Sequence, residues 1–141
     1  MGSSSRPAGR SREPGPITRF VLDSTVLIDA SRGHSGATRF LDDAVDRGEI
    51  WSVTPVRTEV RWAMRSSESA IIERLLVSIY WLEVSTDIAD RAGDFGRRFG
   101  KSHGLGVIDA IVAAAAEFLS ADVATLNLRN FPMFPGLQRP Y

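Results

Sequence analysis

The chain has 141 residues, 43% of them hydrophobic, which is typical of one soluble globular domain. It has no cysteine and only two histidines, His34 and His103, which excludes disulfide bonds and thiolate metal sites and disfavours a zinc site. The 17 basic and 17 acidic residues give a net charge of zero, so affinity for nucleic acid would have to come from a local patch or a metal.

Residues 1–16 are Gly, Ser, Pro and Arg with little that could be buried. We therefore expect a disordered N-terminal tail ahead of one domain at residues 17–141. No apolar run approaches the roughly 20 residues that cross a bilayer, and the N-terminus lacks the apolar core of a secretion signal. We therefore expect a cytoplasmic protein without a membrane partner.

The first predicted strand covers residues 17–22 and leads into Asp23. Ser24 and Thr25 follow, where a short helix ending near Ala30 would begin. Ligands bind at the carboxyl edge of an open α/β sheet, so Asp23 is a site candidate. The alternative is that Asp23 merely caps the helix.

The rest of the chain alternates between helical and strand patterns. It predicts helices at 38–47, 55–65, 68–78, 86–99 and 107–119, and strands at 50–53, 80–84 and 122–125. Thr54 and Thr86 are the expected caps of two helices, and residues 100–106 form the expected break before the last helix. Strands separated by helices indicate an α/β fold with a parallel sheet and helices on both faces.

Three acids fall at a predicted junction or on a buried surface. Asp23 follows the first strand, Glu59 lies in the helix after the second strand, and Asp109 lies in the first turn of the apolar helix. In a parallel sheet these positions share one edge, together with Asn127 beyond the fourth strand. Asp109 interrupts an apolar run, so its charge needs compensation, either by a ligand or by the helix amino end.

Three carboxylates within about 4 Å would repel by roughly 4 kcal/mol per pair at an effective dielectric constant of about 20. A divalent cation reverses the sign of that interaction. Oxygen ligands without Cys or a His cluster favour Mg²⁺ or Mn²⁺, which can activate water and stabilise a phosphoryl transition state. The acids therefore predict metal-assisted phosphodiester hydrolysis.

Four motifs, taken in order and spacing, carry a family resemblance. They are Leu22-Asp23-Ser24-Thr25-Val26-Leu27-Ile28-Asp29, then Ser52-Val53 with Glu59, then Ile108-Asp109-Ala110-Ile111-Val112-Ala113-Ala114, then Ala124-Thr125-Leu126-Asn127 before Phe131-Pro132-Met133. The set covers about residues 17 to 137 and resembles the PIN-domain ribonucleases. Its nearest likeness is to the VapC toxins of bacterial toxin–antitoxin pairs.

The resemblance implies a three-layer α/β/α fold with a central, mainly parallel sheet of four to five strands. It also implies Mg²⁺- or Mn²⁺-dependent cleavage of RNA by an endoribonuclease toxin, inhibition by a cognate VapB-type antitoxin, a homodimer and a toxin–antitoxin hetero-oligomer. By the same resemblance, Asp23, Glu59 and Asp109 match the metal-binding catalytic acids. Asn127 stands where many members carry a fourth acid, which would make this site less negative, and it would assist through its amide oxygen or a bridging water.

Polar and basic residues around these acids complete the predicted site. Ser24, Thr25 and Thr125 are the expected supporting residues, and the candidates for RNA contact are Arg57, Arg61, Lys101 and His103. The alternative for the arginines is a solvated stripe, continued by Arg65, that pairs with acids of the next helix. Lys101 and His103 are expected in an exposed loop.

Two groups of residues are expected outside the chemistry. Asp29 points away from the site edge and is expected to be structural or to lie at an interface. The apolar residues expected in the core or at a dimer interface are Trp62, Met64, Ile71, Leu75 and Ile79.

The competing hypothesis is a catalytically silent PIN-like module that binds protein or RNA. Retention of all three acids argues against it. A phosphotransferase of the haloacid-dehalogenase type fits less well, because it would need an Asp where Thr25 stands.

Overall fold

The computed structural model describes residues 17–141, and the tail predicted at 1–16 lies outside the described residues. The strands are β1 (Thr18–Leu22), β2 (Gly48–Val53), β3 (Tyr80–Leu82) and β4 (Asp122–Ala124). The α-helices are α1 (Ser24–Ser31), α2 (Ser35–Arg47), α3 (Thr54–Ala63), α4 (Ser69–Val77), α5 (Thr86–His103) and α6 (Val107–Leu119). Two 3₁₀ turns, Ser66–Glu68 and Leu128–Asn130, complete the described elements.

The four strands form one parallel sheet in the order β3-β2-β1-β4. β1 is interior, with Val21 paired to Trp51 of β2 on one side and to Val123 of β4 on the other. This arrangement confirms the predicted α/β fold. It also places Asp23 at the end of an interior strand, where the neighbouring connections converge.

Helices cover both faces of the sheet. The ring of Phe20 meets Phe40 of α2 edge-on, with centroids 5.1 Å apart. A guanidinium nitrogen of the adjacent Arg19 lies 3.5 Å from the carbonyl oxygen of Leu119 at the end of α6. Because neighbouring residues of a strand point to opposite faces, α2 and α6 lie on opposite sides of the sheet. The layers are therefore helix, sheet and helix, as predicted.

The core forms where α6 crosses the sheet. Residues 112–116 of α6 are all buried, and the small side chains of the four alanines at 113–116 let the helix approach the strands closely. α5 packs along the outer side of α6, where Arg91 forms a two-pronged ion pair with Glu117 at 2.7 and 3.0 Å. Across residues 17–141, none of the helices combines the length and apolar character needed to span a membrane.

The predicted caps of two helices are shifted by one residue. Thr54 is the first residue of α3, and the extended Val53 precedes it. Ser85, rather than Thr86, caps α5 by accepting the N–H of Ile88 at 3.2 Å. Ser85 and Thr86 both carry a hydroxyl that could cap the helix. Ser85 is the cap because its backbone is extended, as an N-cap requires, whereas Thr86 is already helical.

The break predicted at residues 100–106, between the last two helices, was wrong for residues 100–103. α5 continues through Gly100 to His103 and ends at Gly104, whose φ of +66° is the left-handed conformation that glycine adopts readily. Lys101 and His103 therefore lie in the last helical turn and not in a loop. Packing of α5 against α6 outweighs the cost of about 1 kcal/mol for a helical glycine.

α2 begins three residues earlier than predicted. The Nδ1 of His34 accepts the N–H groups of Gly36 and Ala37 at 3.1 and 3.3 Å and so caps the helix. The helix predicted from residue 68 is preceded by the turn Ser66–Glu68, and β3 ends at Leu82.

The apolar residues expected in the core or at an interface divide into two groups. Ile79 is buried, and Met64 and Leu75 pack against the core. Ile71 is 39% exposed and Trp62 is 87% exposed, so these two lie outside the core of the chain.

Candidate active site

Asp23 is held from two directions at the carboxyl end of β1. Its Oδ1 accepts the N–H of Thr25 at 2.6 Å and the hydroxyl of Thr25 at 2.8 Å. Its Oδ2 accepts the hydroxyl of Thr125, which lies just after β4, at 2.5 Å. Asp23 is 3% exposed and is also the N-cap of α1. The cap role expected as the alternative is therefore confirmed, and it leaves the predicted site role of Asp23 possible, because the cap occupies only Oδ1.

Thr125 links Asp23 to the turn that follows β4. Its side chain is fully buried, and its Oγ1 also accepts the N–H of Asn127 at 3.0 Å. Asn127 is exposed and precedes the turn Leu128–Asn130. Ser24 begins α1, and among residues 17–141 no hydrogen bond joins its hydroxyl to Asp23.

Asp109 lies in the first turn of α6 and is half-buried. Burial raises the pKa of its carboxyl, and the charge of Asp23 raises it further. The amide of Asn130, 3.3 Å from Oδ2, lowers this pKa, and the more weakly acting charge of Glu59 raises it. Asn130 was not among the predicted site residues, and its only signal in the sequence was its place in the same post-strand segment as Asn127.

Asp109 thus lies within electrostatic reach of the other two predicted acids, Asp23 and Glu59. Asp23 comes from the end of β1, Glu59 from the middle of α3, and Asp109 from the start of α6. Within residues 17–141, however, no three His, Asp or Glu side chains lie close enough to hold one metal ion together. Like charges repel, and both oxygens of Asp23 already accept hydrogen bonds. The donor type fits Mg²⁺ or Mn²⁺, whereas the side chains as they lie do not form a closed coordination sphere.

The two predicted RNA-contacting arginines of α3 have partners within the chain. Arg61 forms an ion pair with Glu73 of α4. The guanidinium carbon of Arg57 lies 5.1 Å from the ring centre of Trp81, at a distance typical of a cation–π contact. The interpretation of a stripe that pairs with the next helix therefore holds for Arg61.

The other two candidates for RNA contact lie at the end of α5. Lys101 is exposed, and His103 is partly buried. The Nδ1 of His103 lies 2.7 Å from the hydroxyl of Ser102, and its ring meets Phe99 edge-on with centroids 5.7 Å apart. Both residues precede the α5–α6 connection, beyond which Asp109 follows in the first turn of α6.

Asp29 takes part in a contact between α1 and the end of the chain. Its Oδ2 accepts the hydroxyl of Tyr141 at 2.8 Å, and the ring of Tyr141 packs against His34 with centroids 5.0 Å apart. Burial, the hydrogen bond to Asp29 and the charges of Asp29 and Asp23 raise the pKa of the Tyr141 phenol. Asp29 is thus in a structural contact, one of the two roles expected for it.

The family model described as "PIN domain" matches residues 20–134 of the chain. This range includes every acid of the candidate site and the turn after β4.

Two curated relatives come from Mycobacterium tuberculosis. Ribonuclease VapC19 is 38% identical over 123 residues, which cover 86% of this chain and 98% of the relative. Ribonuclease VapC10 is 36% identical over 123 residues, which cover 86% of this chain and 92% of the relative. Both alignments extend over nearly the whole relative.

Among solved structures, the chain is similar to one in a toxin–antitoxin complex from Klebsiella pneumoniae. The TM-score is 0.72 with 24% sequence identity, and the match covers 86% of this chain and 98% of the other. At that identity the likeness concerns the fold.

Proposed function

The chain belongs to the PIN-domain family, and on that premise we propose that it is a Mg²⁺- or Mn²⁺-dependent endoribonuclease and the toxin of a type II toxin–antitoxin pair. Relatives at 36–38% identity are named as ribonucleases, and the matched fold occurs in a toxin–antitoxin complex. The reaction is hydrolysis of an RNA phosphodiester bond.

The observation that carries the chemistry is the environment of Asp109. Burial and the charges of Asp23 and Glu59 disfavour the charged form of Asp109. A carboxylate in such an unfavourable environment does not stabilise the fold, so a functional role is the better explanation for its presence. In our proposal Asp23, Glu59 and Asp109 hold the cation, and Asn127 assists through its amide oxygen. A bound Mg²⁺ or Mn²⁺ would supply an activated water and stabilise the charge that develops on the phosphate.

The chain's own residues prepare the site before substrate arrives. Thr25 and Thr125 donate to both oxygens of Asp23, which fixes the plane of its carboxylate and keeps its charged form solvated by hydroxyl and amide groups. The first turn of α6 presents Asp109 at the same edge, where unpaired N–H groups favour negative charge.

The proposed partners follow from the family and not from contacts in the chain. They are an RNA substrate, a VapB-type antitoxin and a second copy of this chain, in a cytoplasmic setting. Arg57, Arg61, Lys101 and His103 stay predictions as RNA contacts. Of these, Lys101 has the most accessible charge on the α5 side of the site.

Incubating purified, antitoxin-free protein with cellular RNA and Mg²⁺ or Mn²⁺ tests the proposal. We expect cleavage that stops in EDTA and is lost in Asp109→Asn. Cleavage that persists in EDTA, or full activity in Asp109→Asn, would contradict the metal-dependent mechanism.

Expression in a bacterial host separates a toxin from a silent binding module. We expect growth arrest that is relieved by co-expressing the adjacent small gene. If wild type and Asp23→Ala are equally harmless, the silent PIN-like module is the better account.

A further inference from the structure

A run of hydrogen bonds connects Asp23 to Asp109 through the segment after β4. Thr125 donates to Asp23 at 2.5 Å, and its oxygen accepts the N–H of Asn127 at 3.0 Å. The carbonyl of Asn127 accepts the N–H of Asn130 at 3.0 Å. The side-chain amide of Asn130 then donates to Oδ2 of Asp109 at 3.3 Å. The short segment 125–130 therefore contacts two acids that the chain supplies from distant elements.

The turn is anchored by the residue that follows it. Phe131 is 1% exposed and is among the largest fully buried side chains of the described residues. Its N–H donates to the carbonyl of Leu128 at 3.0 Å, and its own carbonyl accepts the N–H of Phe134 at 3.1 Å. Because packing fixes Phe131, the backbone of the adjacent Asn130 has little freedom to move.

The chemistry of an amide suits this position. Asn130 can donate to one oxygen of Asp109 and leave the other free, without adding negative charge to an edge that already holds three acids. A carboxylate there would repel Asp109, and an aliphatic side chain would leave Asp109 Oδ2 without this donor.

We propose that Asn130 is a positioning residue that orients the Asp109 carboxylate relative to Asp23 and so sets the cation affinity of the site. This inference rests on the proposed function, because it assigns Asn130 a role only if Asp23 and Asp109 hold a divalent cation. Partners that orient metal ligands typically contribute 10–100-fold to metal affinity or activity.

The test is calorimetric titration of Mn²⁺ into the full chain freed of metal and antitoxin. Asn130→Ala removes the amide, and Asn130→Leu removes the donor while keeping a side chain that branches at Cγ. Arg129→Ala is the matched control, because Arg129 is an exposed residue of the same turn. We expect both Asn130 variants to bind Mn²⁺ about 10-fold more weakly than wild type and Arg129→Ala to bind it unchanged.

A second readout separates positioning from a general loss of structure. The Mn²⁺ concentration that gives half-maximal RNA cleavage should rise about 10-fold in Asn130→Ala, while the rate at saturating Mn²⁺ stays within a few-fold of wild type. A merely structural role would instead lower the saturated rate and leave the half-maximal Mn²⁺ concentration unchanged.

The outcomes distinguish this inference from the proposed function. If folded Asn130→Ala and Asn130→Leu bind Mn²⁺ as tightly as wild type, the positioning role is overturned and the proposed function stands. If both variants unfold, Asn130 is a folding determinant and the positioning role is likewise overturned. If wild type itself binds no Mn²⁺ and cleaves no RNA, the proposed function fails first.

Discussion

The hydroxyl of Thr125 lies 2.5 Å from Oδ2 of Asp23, although 102 positions separate the two residues in the chain. The contact joins the segment after β4 to the carboxyl end of β1, across two strands that pair directly. Both side chains are buried, so water could not readily replace the Thr125 hydroxyl as a hydrogen-bond donor to Asp23.

Thr125→Val should test this contact, because it keeps the shape of the side chain and removes the hydroxyl. We expect a loss of about 1.5–3 kcal/mol in the free energy of unfolding, the range for hydrogen bonds to charged groups. RNA cleavage should fall about 10–100-fold, since Asp23 loses one of its orienting partners. Urea denaturation and a cleavage assay measure the two effects. Thr38→Val, at an exposed helical threonine, is the control, and equal effects in both variants would refute the argument.

Asp109→Asn should stabilise the metal-free protein while abolishing cleavage. The raised pKa means that the folded state holds the proton more tightly than the unfolded state, so stability is largest below the ordinary value of 3.8 and falls as pH rises through the raised pKa. At pH 7 in EDTA we expect a gain of about 1 kcal/mol, typical of relieving an unfavourable charge, and near pH 3 no gain. Thermal unfolding at the two pH values measures this. A gain of the same size at both values, or an equal gain in the exposed Asp122→Asn, would count against it.

Gly48→Ala should weaken the pairing of β1 and β2. A Cβ at Gly48 would lie 1.9 Å from the carbonyl oxygen of Thr18, its partner across the two strands, so the backbone must shift. We expect a loss of about 1–3 kcal/mol, as for overpacked sites. Gly93→Ala should have the opposite effect on stability. Gly93 lies in the middle of α5, and a Cβ added there would meet no neighbouring atom within 4 Å outside the helix backbone. That variant should gain roughly 0.5–1 kcal/mol, and urea denaturation of both variants checks the difference in sign.

Lys101 and Arg61 should differ as RNA contacts. Lys101 is exposed in the last turn of α5, whereas Arg61 is paired with Glu73. RNA binding is measured in an Asp109→Asn background, which we expect not to cleave. A plot of the logarithm of the binding constant for single-stranded RNA against the logarithm of the salt concentration should have a slope that is smaller in magnitude by about 0.7 in Lys101→Ala. Arg61→Ala should leave the slope unchanged. The reverse pattern would place the RNA along α3.

Tyr141→Phe should alter the alkaline limit of stability. The raised pKa of the Tyr141 phenol implies stability that is fully present below the ordinary value of 10.0 and is lost as pH rises toward the raised one. At pH 8 we expect Tyr141→Phe to cost about 1 kcal/mol for the lost hydrogen bond to Asp29. Between pH 8 and pH 11 the variant should lose less stability than wild type. Tyr80→Phe, at a phenol that is 55% exposed, should behave like wild type at both values.

The sequence was sufficient for the order of the elements, and it placed the three candidate acids on the elements that the structure shows. All four strands and the six helices occur in the predicted order and differ from the predicted ranges only at their ends, because each apolar face must be buried against the same sheet. Asp23 and Asp109 were recognisable because a carboxylate in an apolar run is costly wherever the chain folds.

Other features depended on contacts that periodicity does not encode. The extension of α5 to His103 follows from its packing on α6, and the cap of α2 follows from the orientation of the His34 ring. Asn130 was missed because nothing in the local pattern separates an amide that reaches Asp109 from one that faces solvent. The ends of elements and the residues that orient the acids are therefore tertiary properties.

Asp23 is the N-cap of α1 as well as a proposed site acid, and this has a consequence for how relatives of this chain should be compared. A descendant that had lost its chemistry would still be selected to keep Asp23, because helix α1 depends on the cap. No such structural selection would keep Asp109, because its charge at neutral pH lowers the stability of the folded state. Under the proposed function, Asp109 is therefore the better indicator, across an alignment, of which chains retain RNA cleavage, and an Asn at that position would indicate loss of activity.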